Sequence, residues 1–110
     1  MIMTKEKMKL VAVDKDQVVG FIFIKTYKKS AYVGKLFVSV NHMREGIGTR
    51  LYFKSEKILK KNGIKKIRLH TNISPNTLDF YKRMKFKNLG RKRININGIK
   101  VTLFELEKNL

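Results

Sequence analysis

A chain of 110 residues carries 26 Lys and Arg against 8 Asp and Glu, a formal net charge of +18, with 43% hydrophobic residues and no cysteine. The missing cysteines exclude a disulfide framework, a thiolate metal site and a cysteine nucleophile. No apolar run approaches the ~18 residues that a membrane helix needs, and Met1-Ile2-Met3-Thr4-Lys5 leads into no secretory h-region, so the expectation is a single domain, residues 1–110, in the cytoplasm without a membrane partner.

In chain order, Lys9–Val13 reads as a strand, Asp14-Lys15-Asp16 as a turn, and Gln17–Lys25, rich in β-branched and aromatic residues, as the second strand of a hairpin. Tyr32–Val40 is predicted as a third strand, with Leu36, Val38 and Val40 on one face and Phe37 on the other. A polar, glycine-containing segment, 41–49, then gives way to a helix over 47–62. Its inward stripe would be Ile47, Leu51, Ser55, Ile58, Leu59 and Asn62. Gly63 fits the left-handed position after a helix, and Ile64–Thr71 alternates as a strand. Strand, helix and strand of these lengths make a crossover, so the strands on either side of the helix should be parallel. Ser74-Pro75 opens a second helix, 75–84, with serine as N-cap and proline at the first helical position. Phe86–Asn95 and Ile99–Glu107 flank Asn97-Gly98, a strong hairpin signal. The expected fold class is α/β with a mixed sheet and two helices.

Chemistry concentrates at two places. Gly46-Ile47-Gly48 lies where a strand ends and an amphipathic helix begins, flanked by Arg44 and Arg50. Free N–H groups at a helix N-terminus bind anions, and glycine lets phosphate oxygens approach the backbone. The pattern is not a dinucleotide fingerprint, because Leu51 stands where the third glycine would be, nor a P-loop, because no Gly-Lys-Ser/Thr closes it. The second place is the short helix, where Tyr81 is an ionisable hydroxyl among apolar neighbours. Taken alone, it reads as a packing aromatic.

Together, the loop 43–49 and the segment Phe80-Tyr81-Lys82-Arg83-Met84-Lys85-Phe86 resemble the GNAT superfamily of N-acetyltransferases, over nearly all of residues 8–107. The resemblance implies an acyltransferase fold, acetyl-CoA as co-substrate, no metal, and direct transfer of an acetyl group to an amine without a covalent enzyme intermediate. It implies that the pantetheine arm lies along Val38-Ser39-Val40 and that the pyrophosphate rests on the amides of Arg44, Glu45, Gly46, Ile47, Gly48 and Thr49. It also implies that Tyr81 protonates the leaving thiolate. A cofactor-contacting asparagine of the family falls at Ser74 when counted back from Tyr81, with Asn76 nearby.

Three departures qualify the pattern. Met43 stands where the family usually has Arg or Gln, with Arg44 as the available substitute. Lys85 replaces the glycine before Phe86. The strand 32–40 carries no carboxylate, where the family frequently places its general base, which leaves Glu45, His42, His70 and Asp79 as undistinguished candidates. Family members typically begin with a strand and two helices that wall the acceptor site, and about seven residues precede the first strand here. The implied acceptor side is open, which would favour a bulky acceptor such as a protein amine over a small molecule, or is covered by a second subunit in a homodimer, or the chain is part of a longer ancestor. The alternative reading is a non-catalytic acyl-CoA-binding or nucleic-acid-binding module on the same fold, which the charge supports. Against it, the lysines are scattered along the chain, and Tyr27-Lys28-Lys29 and Tyr81-Lys82-Arg83 are slight as interleaved aromatic and basic surfaces.

Overall fold

Two tight turns of left-handed residues fix the hairpins. Lys15 and Asp16 have φ of 49° and 65°, and Asn97 and Gly98 have 50° and 85°, the conformation that two-residue connections between twisted strands require. The computed structural model describes residues 6–110, so the leader reading of Met1–Lys5 lies outside the described residues. Strands β1 (Glu6–Asp14), β2 (Gln17–Tyr27) and β3 (Ser30–Val38) form an antiparallel meander. Helix α1 (Ile47–Lys61) crosses to β4 (Lys66–Thr71), and α2 (Pro75–Arg83) leads to the hairpin of β5 (Lys87–Ile96) and β6 (Ile99–Asn109). The sheet order is β1-β2-β3-β4-β6-β5. Among the described strands β3 and β4 pair in parallel and every other neighbouring pair is antiparallel, as the crossover argument requires.

One face of the sheet carries both helices. Ile22, Ile24, Ala31, Val33, Ile67, Leu69 and Leu106 alternate inward and meet Leu51, Tyr52 and Leu59 of α1 and Tyr81 of α2 in a single core. The α1 stripe differs from the predicted one. Tyr52 and Glu56 are buried beside Leu51, Ser55 and Leu59, whereas Asn62 is exposed and serves as the C-cap. Glu56 is tolerated there because the Lys108 ammonium, reaching across from β6, donates to its carboxylate at 2.8 Å. The Tyr52 hydroxyl is buried beside this pair without a partner in hydrogen-bonding geometry. Among the described residues no helix is long and apolar enough to cross a membrane.

Two irregularities of β3 shape the molecule. Opposite β2, Phe23 pairs with Lys35 but Ile24 pairs with Val33, so Gly34 is an extra residue, a β-bulge. On its other side β3 pairs with β4 only from Ser30↔Lys66 to Val33↔Leu69. Past that point β3 follows β2 and β4 follows β6, and a wedge opens between them. The strand also ends sooner than predicted. Ser39 N–H makes the last bond, to the Val19 carbonyl at 2.7 Å, and Val40 begins a single 3-10 turn, Val40–His42, with 78% of its surface exposed.

Candidate functional site

The wedge widens into an open cleft of about 750 Å³ on the helix face, bounded by Leu36 and Val38 of β3, the loop and first turn of α1, and one side of α2. The loop is built for close backbone approach. Arg44 and Gly46 both take left-handed backbone, with φ of 67° and 77°, a conformation costly for arginine and easy for glycine. Gly46 is the N-cap of α1, and no side chain caps the helix. The first helical bond runs from Arg50 N–H to the Gly46 carbonyl at 3.0 Å, which leaves the N–H groups of Ile47, Gly48 and Thr49 without intrahelical partners. No acidic residue lies in this first turn. The end of the helix dipole is therefore free to meet a negative group.

Gly48 forms the floor between strand and second helix. A Cβ placed there would stand 3.5 Å from both Val38 and the Phe80 ring. Tyr81 lines the same cleft but is only 8% exposed. Its ring packs edge-on to Phe80 and Phe86, at 5.1 and 5.4 Å between centroids, and burial pushes its phenol up to about 12. It keeps its proton throughout the neutral range and can donate it to a base that forms beside it.

Of the residues singled out from the sequence, Val38, His42, Arg44, Gly46, Ile47, Gly48, Thr49, Asn76, Asp79 and Tyr81 meet in this cleft. Ser39 and Val40 do not line it, because the chain has left the strand. Ser74 does not line it either; it sits at the α2 N-cap with extended backbone, its carbonyl accepting from Leu78 N–H at 3.0 Å, and makes no side-chain cap bond. Glu45 turns toward a second hollow, about 790 Å³, between β1 and α1, with its carboxylate 3.2 Å from His42 Nδ1. Sequence reasoning missed Thr77, Phe80 and Arg83 as lining residues. The signal was present, since Asn76, Phe80 and Arg83 follow the four-and-three spacing of one helix face.

The four candidate bases separate. His42 and Asp79 both line the donor cleft, where His42 is tied to Glu45 and Asp79 pairs with Arg83 at 3.7 Å. His70 lies on the sheet face turned away from the helices. There its Nε2 is 3.0 Å from the Glu105 carboxylate and its Nδ1 is 2.8 Å from the Tyr32 hydroxyl.

Comparison with known proteins agrees with this geometry. Residues 1–108 match the family model described as the acetyltransferase (GNAT) domain. Among solved structures, an acetyltransferase from Bacillus cereus ATCC 14579 superposes with a TM-score of 0.79 at 22% identity, covering 96% of this chain and 74% of that one. An aminoglycoside 6′-N-acetyltransferase complexed with coenzyme A gives 0.78 at 25%, covering 94% and 73%. The PaiA N-acetyltransferase from Thermoplasma acidophilum, in complex with coenzyme A, gives 0.74 at 27%, covering 94% and 61%. No curated protein matches the sequence significantly. An uncapped glycine-started helix, a splayed strand pair and a mixed six-stranded sheet, matched by the family model over nearly the whole chain, place this protein in the GNAT acetyltransferase family.

Proposed function

We propose that the protein transfers the acetyl group of acetyl-CoA to an amine by direct attack on the thioester. The observation that carries this reading is the convergence, in one cleft, of the uncapped amides of residues 47–49 with the protonated hydroxyl of Tyr81. The pyrophosphate fits the amides, with Arg44 beside them. The pantetheine arm fits the stretch of β3 from Leu36 to Val38, whose wedge side has no strand partner. The reading is supported by two matched structures that hold coenzyme A. In the reaction the amine nitrogen attacks the carbonyl carbon, the carbon–sulfur bond breaks, and Tyr81 gives its proton to the departing sulfur. Calorimetric titration with acetyl-CoA, repeated at raised salt, tests the donor half. Binding that survives salt is expected; binding that salt removes would mean that the +18 charge alone attracts the anion. Release of free thiol in the presence of primary amines tests the acceptor half.

A further inference from the structure

Tyr32, His70 and Glu105 stand on three adjacent strands, β3, β4 and β6, and are joined by two hydrogen bonds on the face opposite the donor cleft. Their position is defined by the wedge. Val33↔Leu69 is the last parallel pair between β3 and β4; Tyr32 precedes it by one residue and His70 follows it by one. The chain thus places three linked titratable groups at the apex of the gap between β3 and β4. Resting on the acetyltransferase reading above, we propose that Tyr32, backed by His70 and Glu105, takes the proton from the acceptor amine, which reaches the thioester through the wedge from the face without helices.

The hydrogen bonds fix the direction of transfer. Glu105 can only accept at its carboxylate, so His70 donates from Nε2 and presents a bare Nδ1 to the Tyr32 O–H. The Tyr32 oxygen keeps its lone pairs for an ammonium N–H on its outer side, where the residue is 38% exposed. The ammonium passes a proton to the Tyr32 oxygen as the Tyr32 proton moves to Nδ1, leaving an imidazolium held by the Glu105 carboxylate. The freed lone pair forms the nitrogen–carbon bond and the carbon–sulfur bond breaks. Of the two protons that the nitrogen loses, one leaves to water and one makes good the proton that Tyr81 gives to sulfur. Tyr32 relays rather than ionising by itself, since burial, and then the Glu105 charge, raise its phenol above the ordinary value.

The surrounding charges leave the relay intact. Lys66 and Arg68 of β4 face the same side but are held by Glu107 at 2.9 and 3.6 Å. Lys25 of β2, Lys35 of β3 and Lys92 of β5 share the face by register, while Glu105 and Glu107 are its acidic residues on β6.

The test compares two kinds of nucleophile with acetyl-CoA: the protonated amines n-butylamine, spermidine and a lysyl peptide, and hydroxylamine, which is unprotonated at neutral pH. His70→Gln and Tyr32→Phe are expected to lose about 100-fold or more in kcat with the amines and less than about 5-fold with hydroxylamine, at unchanged acetyl-CoA affinity. Glu105→Gln is expected to show the same contrast, weaker. Equal losses with both nucleophiles would mean a structural role and overturn the relay, as would undiminished amine turnover in His70→Gln. Acetyl-CoA binding by the unaltered chain without transfer to any of the three amines would overturn the relay while leaving the donor cleft standing. Absence of acetyl-CoA binding would overturn both.

Discussion

The Phe80 ring stands over Gly48, 3.5 Å from where a side chain at that position would begin. A single Cβ is in ordinary contact there, so Gly48→Ala should fold and bind. Gly48→Glu places a carboxylate in the first turn of α1, where it favours the helix by about 0.5–1 kcal/mol. The same carboxylate occupies the amides that the pyrophosphate needs. The expected outcome is an undiminished melting temperature with at least about 10-fold weaker acetyl-CoA binding by calorimetry. A variant that binds as tightly as the parent would move the pyrophosphate elsewhere.

Tyr81→Phe keeps the edge-on contacts with Phe80 and Phe86 and removes only the proton. We expect turnover to fall about 100- to 1000-fold with the acetyl-CoA dissociation constant changed less than about twofold. The phenol, raised from 10.0 to about 12 by burial, also sets a limit on stability. The unfolded chain releases this proton first, so the native state loses stability as the pH climbs from 10 through 12. Chemical denaturation across that range measures the loss, and Tyr81→Phe should reduce it.

The ion pair between Lys108 and Glu56 carries a pH dependence of the opposite kind. Burial pushes the Glu56 carboxyl up, but Lys108 and its other polar neighbours more than offset this and hold it below its ordinary value of 4.5. Its contribution is complete above that value and is lost as the pH falls through the lower native one. Lys108→Met should cost about 2 kcal/mol by leaving the carboxylate short of a partner, softened by Lys60 at 3.7 Å. The acid loss should shrink with it.

Tyr52→Phe removes a buried hydroxyl that stands beside the Glu56 carboxylate without closing a hydrogen bond of good geometry to it. A gain of up to about 1 kcal/mol is expected, read as a rise of a few degrees in melting temperature. A clear loss would show instead that the hydroxyl donates to Glu56.

What could be read from the sequence followed local rules. Asn97-Gly98 named its hairpin because only certain residues accept two left-handed conformations in a row. Pro75 placed the start of α2 because its ring fits the first helical turn. The glycines of the cleft were visible because they interrupt a periodic pattern. Glu56 was not legible as a buried residue, since its partner Lys108 lies on another element and nothing in α1 announces it. Val40 continued the alternation of β3 in sequence, yet pairing with β2 ends at the bond from Ser39 N–H to the Val19 carbonyl, and Val40 begins a 3-10 turn. Glu105, similarly, reads as one more alternating residue of a strand until register sets it opposite His70.

The extra residue at Gly34 acts as a change of frame. In an unbroken strand Tyr32 and Leu36 would share a face, and Lys35 and Phe37 would be turned toward the helices. With one residue inserted, Leu36 and Val38 enter the donor cleft while Tyr32 remains on the far side with His70. Deleting Gly34 would therefore do more than shorten a strand. It would exchange the linings of the two faces, sending a lysine and a phenylalanine into the space for the thioester and withdrawing the residues that belong there, so that donor and acceptor no longer approach the same gap from opposite sides.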